Sequence, residues 1–189
     1  MSSQPATHEN AIFRGVLIAG MILFAAIIRI VPHPWNLAPV GAMALFSGAV
    51  IRNRWVAFLF TLLALLVGDF FVGFHILMPV VYASFLISVA IGSWLRNNRT
   101  MMRFGGAVLL GAAQFFLITN FGVWLFLHSY PKTLAGLAAC YLAGLPFLWN
   151  TLAGDAFFSA VFFGALYLAE RAYPVGISRD SAIQSGFRG

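Results

Sequence analysis

An all-helical integral membrane protein is the fold class this sequence predicts, and three observations predict it. Of its 189 residues, 61% are hydrophobic and only 8% are charged, whereas soluble domains carry about a quarter charged residues. There is too little polar surface here to cover a water-facing globule. The apolar residues also fall into long runs, and lipid-embedded backbone satisfies its own polar groups most simply as helices. Finally, the arginines lie between these runs instead of clustering on one face. The net charge of +6 therefore reports topology and is not a nucleic-acid footprint.

Taken in order, residues 1–11 read as a disordered polar tail, 12–171 as a single membrane domain and 172–189 as a polar C-terminal tail. Span 1 covers 12–31 and has no convincing small-residue cleavage site, so it is a retained span and not a signal peptide. Span 2, 37–51, is short for a crossing that needs about 20 residues. Spans 3, 4 and 5 cover 55–74, 76–95 and 104–127, and the last span covers 150–170. The segment 133–149 is apolar but ambiguous.

Charge settles the topology. Arg14 precedes span 1, Arg52 and Arg54 lie between spans 2 and 3, and Arg96, Arg99 and Arg103 lie between spans 4 and 5. Arg171, Arg179 and Arg188 follow the last span. The positive-inside rule puts all of these, and both termini, on the cytoplasmic side of a multi-pass inner membrane protein. An even number of crossings is then required. Six transmembrane helices fit if the segment near 133–149 is a re-entrant or interfacial element on the outer side. Trp55 and Trp94 fall beside the inner arginines, and Trp35, Trp124 and Trp149 fall at outer ends, as interfacial belts do. Small residues four apart, Ala38 with Ala42, Ala44 with Gly48, and Ala139 with Ala143, mark close helix contacts.

The corner between spans 1 and 2, RIVPHPWNLAPVGAMALFSG from Arg29 to Gly48, organises the polar groups. Pro32, Pro34 and Pro39 each fix φ and remove a backbone donor, so the corner is rigid. It is either a plain Pro-rich turn or one wall of a site. Topology favours a site, because nearly every strong polar group other than arginine falls at the same outer depth. Arg29, His33 and Asn36 lie on the corner, and Asp69 and His75 close span 3. Tyr82 lies in span 4, Asn120 and Trp124 in span 5, and Asn150 and Asp155 open the last span. These ten are the candidate substrate-binding residues.

An aspartate within a span costs about 2.5–3.5 kcal/mol, and such residues face a cavity or a partner. Arg29 is the simplest partner for Asp69 or Asp155, which would serve packing, ligand binding or both. The histidines follow no recognised metal pattern. The single cysteine, Cys140, reads as packing material. Phe70, Phe71 and Phe74, with Phe115, Phe116 and Phe121, read as lipid-facing or core residues, or as walls of an apolar ligand pocket. No phosphate-binding G-x-x-x-x-G-K-[ST] loop, nucleophile elbow or H-E-x-x-H motif occurs. No cofactor and no catalytic residue is expected.

The stretches PHPWNLAPVGAMALFSGA, GDFFVGFH, YASF, TNFGVWLF and LPFLWNTLAGDAFFSAVFFG, in this order from about Arg29 to Gly164, resemble a bacterial membrane family regarded as transport proteins. More distantly, six helices with an outward polar pocket resemble the substrate-binding (S) components of energy-coupling-factor transporters. The BtuM-like cobalamin branch is the nearest named relative. The resemblance implies uptake of a vitamin or cofactor precursor, cobalamin-like, with an ATPase module as partner beside the solute and the bilayer. Span 1 lacks the A-x-x-x-A that often marks docking on a shared module. Cys140 also lies in the wrong segment to ligate cobalt, which leaves His75 as the soft ligand in the right region. Two other classes stay open: a membrane-embedded enzyme acting on a lipid or prenyl substrate, and a structural or assembly subunit.

Overall fold

Six helices account for nearly all of residues 5–28, 38–97 and 100–172, which are the residues that a computed structural model of the chain describes. They are α1 (Pro5–Ile28), α2 (Val40–Val50), α3 (Arg54–Val72), α4 (Met78–Trp94), α5 (Met101–Phe126) and α6 (Leu134–Ala172). No strand occurs among the described residues. The all-helical class is as predicted. Three helices, α3, α5 and α6, are long and apolar enough to cross a membrane.

The helix lengths depart from six equal spans. With 11 residues, α2 is about 16 Å long at 1.5 Å per residue, roughly half a hydrocarbon core. Its surroundings explain why so short a helix persists. Every residue from Val40 to Ala49 is buried, and α2 touches each of the other five helices. Lipid therefore never meets its flanks. The bundle is built around it, with Phe46, Phe162, Leu65, Phe85 and Val89 in the core that surrounds it.

The segment 133–149 is not a separate re-entrant element. It forms the first part of α6, a single helix of 39 residues, about 58 Å long. One continuous buried stripe runs along that helix through Gly136, Cys140, Gly144, Thr151, Asp155, Ser159, Phe162 and Leu166. Pro146 removes one backbone donor within it, but packing along the stripe carries the helix through. The α5 contact uses Cys140 and Gly144, one residue on from the expected Ala139 and Ala143, which are exposed. The Cys140 thiol donates to the Asn120 carbonyl at 3.4 Å, so this cysteine does serve packing. At the other terminus, α1 begins at Pro5, so residues 5–11, expected to be disordered, continue the helix. Proline suits a first helical position, and no breaker follows it before Gly15. Apart from Ala172, the polar C-terminal tail lies outside the described residues.

Helices α2 and α4 approach backbone to backbone. A Cβ on Gly48 would overlap the Val89 carbonyl oxygen, and one on Gly92 would overlap the Leu45 carbonyl oxygen. Gly48 of the predicted Ala44–Gly48 pair thus meets the Val89 and Ser93 backbone and Gly92 meets the Leu45 backbone, a small-residue interface of the kind that lipid-embedded helices use. Between α2 and α3 the hydroxyls of Ser47 and Thr61 lie 2.9 Å apart. The α3–α4 turn is closed by Gly73, whose φ of 107° disfavours any other residue.

The C-terminus of α2 is held from outside the helix. Arg96, just beyond α4, donates through Nη2 to the carbonyls of Gly48 and Ile51, at 2.8 and 3.1 Å. Through Nη1 it donates to that of Arg52 at 2.9 Å. These carbonyls would otherwise be orphans of the last turn, and a cation there also complements the helix dipole.

Two outcomes follow. Gly92→Leu forces α2 and α4 apart and lowers stability by about 1–3 kcal/mol, read as a fall in the thermal midpoint of the detergent-purified protein. Arg96→Met destabilises by about 2 kcal/mol through loss of charge-assisted bonds, and Arg96→Lys recovers part of that loss in the same assay.

Candidate functional site

At the opposite end of α2 the local sequence provides no cap. Pro39 occupies the N-cap position, makes no side-chain bond to the helix, and no acidic residue lies in the first turn. The missing acceptor comes from α6. The Asp155 carboxylate, on a residue only 3% exposed, takes the backbone N–H of Ala42. Gly41 makes room for it, since a Cβ at that position would overlap the carboxylate. An anion at a helix N-terminus is stabilised by the free N–H groups and by the dipole together.

Beside this carboxylate lies a cavity of about 210 Å³. Its walls come from the start of α2 (Val40, Gly41), from α4 (Val81, Phe85, Ser88), from α5 (Gly111, Phe115) and from α6 (Thr151, Asp155). Ala38 and His75 also line it. His75, in the α3–α4 turn, is exposed. The walls are mostly apolar, and four residues, Asp155, Ser88, Thr151 and His75, carry polar side chains.

The hydrogen bonds decide what those groups can still do. Thr151 Oγ1 donates to the Phe147 carbonyl at 2.9 Å, and Ser88 Oγ donates to the Ser84 carbonyl at 3.3 Å. Both hydroxyl protons are thereby committed, and what remains toward the cavity is lone pairs. Gln114 of α5 supports this arrangement. Its Nε2 donates to Ser88 Oγ at 2.9 Å and to the carbonyls of Ser84 and Gly111 at 3.0 and 3.1 Å. Two carbonyl acceptors fix the amide in that orientation, and its Oε1 is buried without a partner among the described residues. The polar part of this site is acceptor-rich.

Of the ten sequence candidates, His75 and Asp155 line the cavity. Asp69 is fully buried and accepts a hydrogen bond from Tyr82 Oη at 2.8 Å, which ties α3 to α4 away from the cavity wall. Asn120 donates through Nδ2 to the Phe116 carbonyl, and its side chain packs against Gly144 at the α5–α6 contact. Trp124 Nε1 donates to the Pro131 carbonyl at 2.9 Å. The Lys132 ammonium sits 5.6 Å from the Trp124 ring centre, clasping the α5–α6 connection. Asn150 is half-buried on α6 and is not part of the cavity wall. Arg29, His33 and Asn36, and with them Trp35 and two of the corner's three prolines, Pro32 and Pro34, lie outside the described residues.

Ser88, Thr151, Gln114 and Gly41 belong to the site and escaped the sequence reading. Spacing could have found three of them. Thr151 lies four residues before Asp155, Ser88 lies four after Ser84, and Gln114 is one of two amides, with Asn120, on the largely apolar helix α5. Among the described residues no three His, Cys, Asp or Glu side chains gather as a metal site requires.

No curated protein and no solved structure matches this chain. A family model does match it over residues 9–176, nearly its whole length, and the chain belongs to that family, the family of unknown function DUF6580.

Proposed function

We propose that this protein is a membrane solute-binding protein for uptake, and that its solute is small and presents a hydrogen-bond donor or a positive charge. The acceptor-rich cavity beside Asp155 carries the reading. An apolar chamber with a few convergent polar groups is the usual form of a small-molecule site. At about 210 Å³ the chamber holds some seven water volumes of about 30 Å³ each. That size favours a small amine or polyol-like solute over a vitamin as large as cobalamin.

The wider reading keeps six membrane helices with both termini cytoplasmic, in a bacterial inner membrane. Arg52 and Arg96 lie in the connections that join α2 to α3 and α4 to α5, and Arg54 and Arg103 lie in the first turns of α3 and α5. Arg96 bonds the first of these connections, and Arg103 stacks on Trp94 at 5.6 Å. The positive-inside rule makes that end cytoplasmic. The cavity, at the opposite end of α2, then opens outward with His75 at its mouth. Movement through the membrane is facilitated, or driven by a partner ATPase.

Asp155→Asn tests the reading cleanly, because asparagine caps a helix about as well as aspartate but carries no charge. In a thermal-shift screen of detergent-purified protein against small amines, alcohols and organic acids, the wild type is stabilised by an amine and not by acids. Asp155→Asn keeps its midpoint within a few degrees and loses at least tenfold in affinity for that amine. No stabilising amine, or equal binding by the variant, would overturn the proposal. Tyr82→Phe, which touches the Asp69 pair and not the cavity, leaves amine binding unchanged within about twofold. It lowers stability by about 1 kcal/mol, measured by the same melts.

A further inference from the structure

A second cavity, of about 310 Å³, lies at the arginine-bearing end of the molecule between the start of α3 and the end of α4. It shares no wall residue with the first. Arg54 and Arg96 line it together with Trp55 and Ser93, and Phe58 and Val89 are among its apolar walls. The order of these residues along each helix is the informative feature. On α3, Arg54 and Trp55 come first, and Phe58 lies about one turn, 5–6 Å, deeper. On the antiparallel α4, Arg96 lies beyond the end, Ser93 in the last turn, and Val89 about one turn deeper again. Both walls therefore pass from guanidinium, through an amphipathic or hydroxyl level, to hydrocarbon, within the same short depth.

Among the described residues no carboxylate lines this cavity. Arg54 is exposed, with its guanidinium 5.1 Å from the centre of the Trp55 ring. Arg96 spends Nη1 and Nη2 on the α2 carbonyls, while its buried Nε–H has no acceptor among the described residues. Asp69 is fifteen residues along α3 from Arg54, about 23 Å away, and Asp155 caps the far end of α2. Glu170 belongs to α6, which contributes nothing to this cavity. Trp55 is 67% exposed and sits where an interfacial tryptophan flanks a headgroup.

We infer that this cavity binds the phosphate of an anionic phospholipid, with Arg54 and Arg96 on the phosphate and an acyl chain laid along Phe58 and Val89. Phosphate supplies the counter-charge that no lining residue provides, and arginine is the side chain suited to its geometry. The apolar floor gives a lipid an advantage over free phosphate, which has nothing to bury there. The site is independent of the solute reading and rests on the membrane assignment alone.

Native mass spectrometry of the full chain, released from detergent with phosphatidylglycerol, phosphatidylcholine or inorganic phosphate, tests it. The expected result is retention of phosphatidylglycerol at least fivefold above phosphatidylcholine, with inorganic phosphate neither retained nor competing at equal concentration. Arg54→Gln reduces that retention at least fivefold. Arg52→Gln, which removes an equal charge from an exposed residue outside the cavity, leaves it within twofold. Equal retention of the two lipids overturns the proposal, as does an equal effect of the two variants, which would reduce the site to a diffuse basic surface. Effective competition by inorganic phosphate would make free phosphate the ligand and overturn the lipid assignment.

Discussion

Helix α2 is held between two charges that it does not itself supply. A helix leaves its first N–H groups and last carbonyls without internal partners, and α2 is buried where water cannot take them. Its own sequence offers neither an acidic first turn, nor a basic last turn, nor a side-chain cap. Asp155 from α6 therefore meets the N-terminus, and Arg96 from beyond α4 meets the C-terminus. Each contact is worth up to about 2 kcal/mol in a partly buried setting. Their larger consequence is positional, because both α4 and α6 must sit in one register along α2 for the two charges to land.

Close packing fixes the remaining freedom. In lipid the hydrophobic effect does little to hold helices together, so backbone approach and shape must do it. Gly48 and Gly92 let α2 and α4 touch through their main chains, and Gly41 lets the Asp155 carboxylate reach an amide. A half-length helix surrounded in this way ends inside the bundle. Where its N-terminus stops, the larger elements around it leave the chamber lined by Ser88, Thr151 and Asp155. The chamber is thus a by-product of terminating α2 early, and Pro39 fixes where that termination falls.

How much of this was legible in the sequence depended on whether the signal was local. Helical class, the approximate bounds of α3, α4 and α5, and the Ala44–Gly48 contact all follow from apolar runs and small-residue spacing. Phe70, Phe71 and Phe74, which the sequence left as lipid-facing or core residues or pocket walls, are exposed. Asp155 stood out because an aspartate inside an apolar run demands an explanation. The partners of the polar groups were not legible, since pairing across helices depends on rotation about each axis. Asp69 went to Tyr82 on the facing helix, and Asn120 turned back onto its own helix at Phe116. Arg96 was read only as a topology marker, although it caps α2 as well, a role that requires knowing that α2 ends beside it. The continuous α6 was missed because the charges required only an even number of crossings, which was met by taking 133–149 and 150–170 as separate elements. The stripe from Gly136 to Leu166 runs through both.

The energetics of Asp155 bear on why it is an aspartate at all. Placing this side chain inside a span costs about 2.5–3.5 kcal/mol, and capping α2 returns up to about 2. An asparagine would give nearly the same cap with far less desolvation. Stability alone therefore favours the neutral side chain at this position. The carboxylate faces a chamber in which the Ser88 and Thr151 hydroxyls have already spent their protons, and an anion there also gains from the free N–H groups and dipole of α2. The same residue thus caps α2 and lines the chamber. The cap offsets much of the cost of keeping the charge.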